Sequence, residues 1–207
     1  MKWFVAVSGN IGSGKSTVTT LLSEKLGWKP YYEVVDENPY LPDFYADMPR
    51  WSFHLQVFFL SKRFQHHQEI AQAAASVILD RTIYEDAEIF ARNLYLRGLM
   101  DERDFRTYSE LFSTMLQFLR PPDLIIYLKA AVPTLLERIR RRARDFEQRI
   151  PPEYLKQLND RYAEWVGRFR LCPLLTVDAD RLDLEHLDGL VAEMQARLPS
   201  LFPLTER

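Results

Sequence analysis

Two hydrophobic regimes alternate along the chain. Short, mostly apolar runs occur at Trp3-Phe4-Val5-Ala6-Val7, Tyr31 to Val35, Val77 to Leu79, Leu124-Ile125-Ile126-Tyr127-Leu128 and Leu174 to Val177. Their β-branched and aromatic content predicts strands, and the fourth run is apolar throughout, as a parallel strand covered on both faces should be. Between the runs, apolar residues recur at three- and four-residue steps, as at Val18, Leu21, Leu22 and Leu26, or Phe53, Val57, Leu60 and Phe64. That spacing predicts helices. They run from Lys15 to a stop at Gly27, from Trp51 to about Ala75, Glu85 to Leu96, Glu102 to Leu119, onward from Pro133, Pro151 to Phe169, and Leu184 to Leu198. Strands alternating with helices predict an α/β three-layer sandwich, a parallel sheet of about five strands between helices.

The first strand breaks into Gly9-Asn10-Ile11-Gly12-Ser13-Gly14-Lys15-Ser16, followed by Thr17, which fits G-x-x-x-x-G-K-[ST] at every required position. Strand, glycine loop and helix stand in the order a phosphate-binding loop needs. The loop's N–H groups and the helix N-terminus favour anions. Lys15 is expected at the β- and γ-phosphates, and Ser16 at Mg²⁺. The P-loop NTPase-type sandwich is therefore the expected fold, with one domain over residues 1–207.

Composition changes this picture little. A length of 207 residues suits one domain, and a net charge of −2 gives no reason to expect nucleic-acid or membrane binding through bulk electrostatics. The single cysteine, Cys172, leaves no intrachain disulfide and suits a reducing compartment. The chain enters its first strand almost at once and has no apolar run of about 18 residues. Neither a secretory leader nor a membrane span is expected, and a cytoplasmic protein is.

Candidate chemistry clusters where strands end, the rim on which ligands of open α/β sheets bind. After the second run come Asp36-Glu37-Asn38-Pro39, where a carboxylate can take the proton of an attacking hydroxyl. After the third come Asp80-Arg81-Thr82, an acid suited to Mg²⁺ or its waters and an arginine suited to developing phosphoryl charge, with Asp86 further on. Gln56 and Arg63 are two helical turns apart and share a face, able to read the edge of a planar heterocycle. Six arginines fall between Arg138 and Arg149. Such a run suits a lid over phosphates, placed here at about 138–150, or a solvated basic face.

With these residues placed, the chain resembles the deoxyribonucleoside kinases. The resemblance is carried in order by Gly9 to Thr17, Asp36 to Pro39, Trp51 to Arg63, Asp80-Arg81-Thr82-Ile83-Tyr84-Glu85-Asp86, and Arg138 to Leu155. It implies ATP or another triphosphate donor with Mg²⁺ at Ser16 and Asp80, and a deoxynucleoside acceptor phosphorylated on its 5′-hydroxyl in nucleotide salvage. A purine base, deoxyguanosine or deoxyadenosine, is favoured over deoxycytidine. By position it makes Glu37 the general base, with Asp36 the alternative. Arg81 would hold the hydroxyl. Gln56, Arg63 and Asp86 would read the base, with Phe90 stacking on it. Tyr45 and Glu147 would hold the 3′-hydroxyl. Arg138, Arg142 and Arg144 would clamp the donor phosphates, and Asp178 and Asp180 would lie near the donor base. The family also implies a homodimer packed through helices. A nucleoside monophosphate kinase of the thymidylate kinase kind, or a non-catalytic nucleotide binder of this fold, remain the alternatives.

Overall fold

The apolar run that opens the chain becomes strand β1 (Phe4–Gly9), and every one of its residues is buried. The computed structural model describes residues 2–35 and 37–198. β1 is flanked by β3 (Val77–Asp80), with Val5 opposite Ile78, and by β4 (Leu124–Lys129), with Val7 opposite Ile126. β2 (Lys29–Tyr31) and β5 (Leu174–Asp178) close the edges. All pairings are parallel, in the order β2-β3-β1-β4-β5. The three central strands are the most apolar and the most deeply buried, exposed only at Lys129 at the end of β4.

Helices cover both faces. α1 (Lys15–Leu26) leads out of the glycine loop and is ended by Gly27. α2 (Leu41–Ala46) and α3 (Met48–Gln72) follow, then α4 (Ile83–Glu85) and α5 (Arg92–Leu96), with a π-helical turn at Asp86–Ala91 between them. α6 (Glu102–Leu116), α7 (Val132–Arg142), α8 (Pro152–Arg168) and α9 (Asp188–Arg197) complete the set, with a 3₁₀ turn at Asp145–Arg149 after α7. The five-stranded parallel sheet between helices is the expected architecture.

Two differences position the site. β2 ends at Tyr31, not Val35, because Tyr32 to Val35 leave the ladder and cross the rim as a loop. The segment expected as a loop through Pro42 turns helical at Leu41, with a proline in the first turn of α2, where its missing N–H has no partner to lose.

Candidate active site

Because all five strands are parallel, their carboxyl ends lie on one rim, which carries two adjoining cavities. The first, of about 260 Å³, runs from the glycine loop to α3 and is lined among others by Lys15, Ser16, Glu33, Tyr45, Gln56, Arg81, Asp86 and Phe90, with Arg142, Arg144 and Glu147 above. The second, of about 290 Å³, lies between the loop, α7 and the turn after β5, with Val18, Arg138, Arg141, Ala179, Leu182 and Leu184 on its walls. Gly12, Gly14, Thr17 and Arg142 border both.

The loop is built for close approach. Gly12 has φ +81, and a Cβ there would lie 2.8 Å from the Leu135 carbonyl oxygen. Asn10 holds the loop to α8 by donating to the Leu155 carbonyl and to Asn159 Oδ1, and its own Oδ1 accepts from the Ile11 N–H. Lys15 folds back to donate to the Asn10 carbonyl at 3.1 Å; burial, with the Arg81 charge, brings its pKa down to about 8. Ser16 donates to Asp80 Oδ2 at 2.6 Å, while Asp80 Oδ1 is buried without a hydrogen-bond partner.

Opposite the loop, Arg81 sits with φ 70, in the left-handed region that costs a non-glycine residue about 1–3 kcal/mol. Its surroundings hold it there. Its N–H donates to the Val7 carbonyl, Nε lies 2.9 Å from Glu33 Oε1, and the guanidinium covers the Phe90 ring at 4.3 Å. Glu33 also accepts from Arg63 Nη2 at 2.9 Å. Burial would raise the Glu33 pKa, but Arg81, Arg63 and Lys15 outweigh it and hold the carboxyl at about 2. Arg63 is not part of the cavity wall. It stands behind it, with Nε and Nη2 on Asp86 and Nη1 on the Asp80 carbonyl. Gln56 is buried, and its Oε1 has no partner.

Many of the expected residues therefore meet in one place, Arg63 stands behind the wall, and Glu37, Asp178 and Asp180 lie outside both cavities. Glu37 is exposed and lies outside both cavities, and Asp36 lies outside the described residues. The carboxylate that faces the loop is Glu33, two residues past the end of β2. The early end of β2 brings the first acid, not the later one, onto the rim. Asp178 and Asp180 also do not border the second cavity. Asp180 accepts from the Ala131 N–H, and Asp178 accepts from the Asp180 N–H and pairs with Arg181. They shape the turn, and Ala179 and Leu182 line the cavity instead. Arg138 ties the same turn to the loop, donating to the carbonyls of Ser13 and Ala179.

Other residues of the site have weak signals in the sequence. Glu85 is wholly buried; it caps α4 by accepting from Thr82 N–H and Oγ1, and it accepts from the Gly9 N–H at 3.1 Å. The S/T-x-x-E spacing of Thr82 and Glu85 was the available signal. Phe146 packs parallel to Tyr45 at 6.2 Å, and Tyr154, Phe59 and Phe44 complete the apolar wall.

A parallel sheet with a phosphate-binding loop and a rim carboxylate paired with arginine defines a phosphoryl-transfer enzyme of the P-loop kind. The sequence model of the family described as Deoxynucleoside kinase matches residues 5–196, and the chain belongs to that family. It is 40% identical over 199 residues to the deoxyadenosine/deoxycytidine kinase of Bacillus subtilis, covering 95% of this chain and 92% of that protein. It is 38% identical over 188 residues to a deoxyguanosine kinase of Lactobacillus acidophilus, covering 86% and 82%. Among solved structures, the deoxyadenosine kinase from M. mycoides with bound dATP superposes with a TM-score of 0.83 at 32% identity, covering 93% of this chain and 99% of that one. The same enzyme with the products dCMP and dCDP gives a TM-score of 0.84. The activity is ATP-dependent phosphorylation of a deoxynucleoside. Among the described residues no helix is long and apolar enough to cross a membrane.

Proposed function

We propose that the first cavity takes the deoxynucleoside with its 5′-hydroxyl between Glu33 and Arg81, and that the second takes the base end of ATP. The phosphates would then lie across the shared loop. The observation that carries this reading is the Glu33–Arg81 pair, 2.9 Å apart and facing the loop that holds Lys15. Glu33 orients the hydroxyl and receives its proton as the new O–P bond forms. A loose phosphoryl-transfer transition state asks for positioning more than for a strong base, so a carboxylate with a low pKa serves. Arg81, Lys15 and Arg142 balance the charge on the phosphoryl oxygens, and Arg144 and Arg138 stand beside the donor path.

Mg²⁺ fits this site. Asp80 Oδ1 is a buried oxygen without a hydrogen-bond partner, and its neighbour is the Ser16 hydroxyl. Among the described residues no cluster of three His, Cys, Asp or Glu side chains is placed to hold a metal ion, which suits an ion that shares its oxygens with phosphates and water. Ser16 and Asp80 would hold it, and it would supply charge neutralisation to the β- and γ-oxygens.

Gln56 and Asp86 read the base, with Arg63 holding Asp86 from behind. Two acceptors, the Asp86 carboxylate and the unpartnered Gln56 Oε1, favour an exocyclic amino group. Deoxyadenosine is the proposed acceptor, with deoxycytidine next; thymidine offers no such group. Tyr45 and Glu147 take the 3′-hydroxyl, and Phe90 flanks the base. The proposal covers one domain with a lid at 138–150, a cytoplasmic salvage role and a homodimer. Leu111 and Phe118, 36% and 68% exposed on and beside α6, support the dimer.

Phosphoryl transfer from ATP to deoxyadenosine, deoxycytidine, deoxyguanosine, thymidine and thymidine monophosphate tests the reading. The expected order is deoxyadenosine, deoxycytidine, deoxyguanosine, then thymidine, with no turnover of the monophosphate. Glu33→Gln should lower kcat by about 10² or more, and Glu37→Gln should leave it near normal. The reverse pair of results would return the base to Glu37.

A further inference from the structure

Tyr162 has no part in the reading above, yet it lies at the junction of its parts. It belongs to α8, the helix that follows the arginine-rich segment, and is completely buried. Its ring stacks on Tyr127 at 5.4 Å and 17°. Its hydroxyl accepts from Arg81 Nη1 at 3.1 Å and lies 2.8 Å from both the Gly9 carbonyl oxygen and Glu85 Oε1. A phenol has one proton, which goes to one of those two oxygens while Arg81 donates to the lone pair. One oxygen atom therefore joins the start of the phosphate-binding loop, the strained residue after β3 and the cap of α4.

Arg81 needs such a tie. Its backbone is held in a conformation it does not favour, so its guanidinium direction depends on the groups around it. Glu33 pairs with Nε by charge without a hydrogen bond, Phe90 supports the face, and Tyr162 fixes Nη1. Without the hydroxyl, Nη1 keeps Glu85 only at 3.7 Å, beyond hydrogen-bond range. Glu85 holds the Gly9 N–H on one side of the same hub, so arginine and loop are set against each other through these two residues. We propose that Tyr162 is a positioning residue for phosphoryl transfer, its buried hydroxyl fixing the direction of Arg81 relative to the phosphate-binding loop.

The inference rests on the role proposed for Arg81, and a double-mutant cycle separates the two. Tyr162→Phe keeps the ring and removes the oxygen. It should lower kcat about ten- to a hundredfold, the scale of a small misplacement, with KM for ATP and deoxyadenosine within about twofold. In an Arg81→Lys background the same change should cost less than about twofold, because its object is gone. Tyr127→Phe, which removes the hydroxyl of the neighbouring ring, should leave kcat unchanged. A crippled Arg81→Lys enzyme with a full-rate Tyr162→Phe enzyme overturns the proposal alone, and so does an equal cost in both backgrounds. A near-normal Arg81→Lys enzyme overturns the role of Arg81 and this proposal with it. Should Phe at 162 not fold, 3,5-difluorotyrosine at that position keeps the shape and alters the hydrogen bond. A shift in kcat without KM then supports the role, and no shift overturns it.

Discussion

At Glu33, burial and charge pull in opposite directions, and charge wins. The carboxyl is held at about 2 by Arg81, Arg63 and Lys15, so it is ionised at any working pH. His67 is the opposite case. Burial, helped by the Arg63 charge, lowers its pKa to about 3, and its ring meets Phe4 edge-on at 5.3 Å. The folded protein keeps His67 neutral where the unfolded chain protonates it. Stability held above the ordinary histidine pKa of 6.5 is therefore lost as pH falls towards 3, at up to about 1.4 kcal/mol per pH unit. Denaturant melts from pH 7 to 4 should show a flatter acid slope for His67→Leu than for the parent protein.

Elements were legible in proportion to how far their signal was local. The glycine loop, the central strands and the Gln56–Arg63 face of α3 are written in contiguous or periodic residues. The end of β2 was not, because Val34 and Val35 read as strand while the three-residue ladder with β3 stops at Tyr31. That displacement hid the place of Glu33 on the rim. The π-helical turn at Asp86–Ala91 was hidden too, since a six-residue window cannot separate its period from an α-helix. Tyr162 meets Gly9 across 153 residues of sequence, a distance no local pattern spans. The loop itself yields a direct test. In Gly12→Ala the new Cβ meets the Leu135 carbonyl oxygen at 2.8 Å with φ at +81. ATP affinity measured by calorimetry should fall about tenfold or more, on the scale of the backbone strain introduced.

For the whole molecule, the parallel sheet gathers both cavities on one rim. Light scattering on a size-exclusion column should give twice the chain mass at micromolar concentration; a monomer would remove the dimer from the proposal. Above the rim, Glu147 grips Arg142 through Nε at 2.9 Å and Nη2 at 2.5 Å. The acceptor's proposed 3′-hydroxyl partner is thus also the keeper of an arginine that borders both cavities. Such a grip has an economic meaning for a cell. On the proposed reading, a donor that arrives alone finds that arginine already engaged by Glu147. Wasteful ATP hydrolysis without acceptor should accordingly be very slow in the parent protein. It should rise several-fold relative to nucleoside phosphorylation in Glu147→Gln, as phosphate release measured with and without deoxyadenosine will reveal.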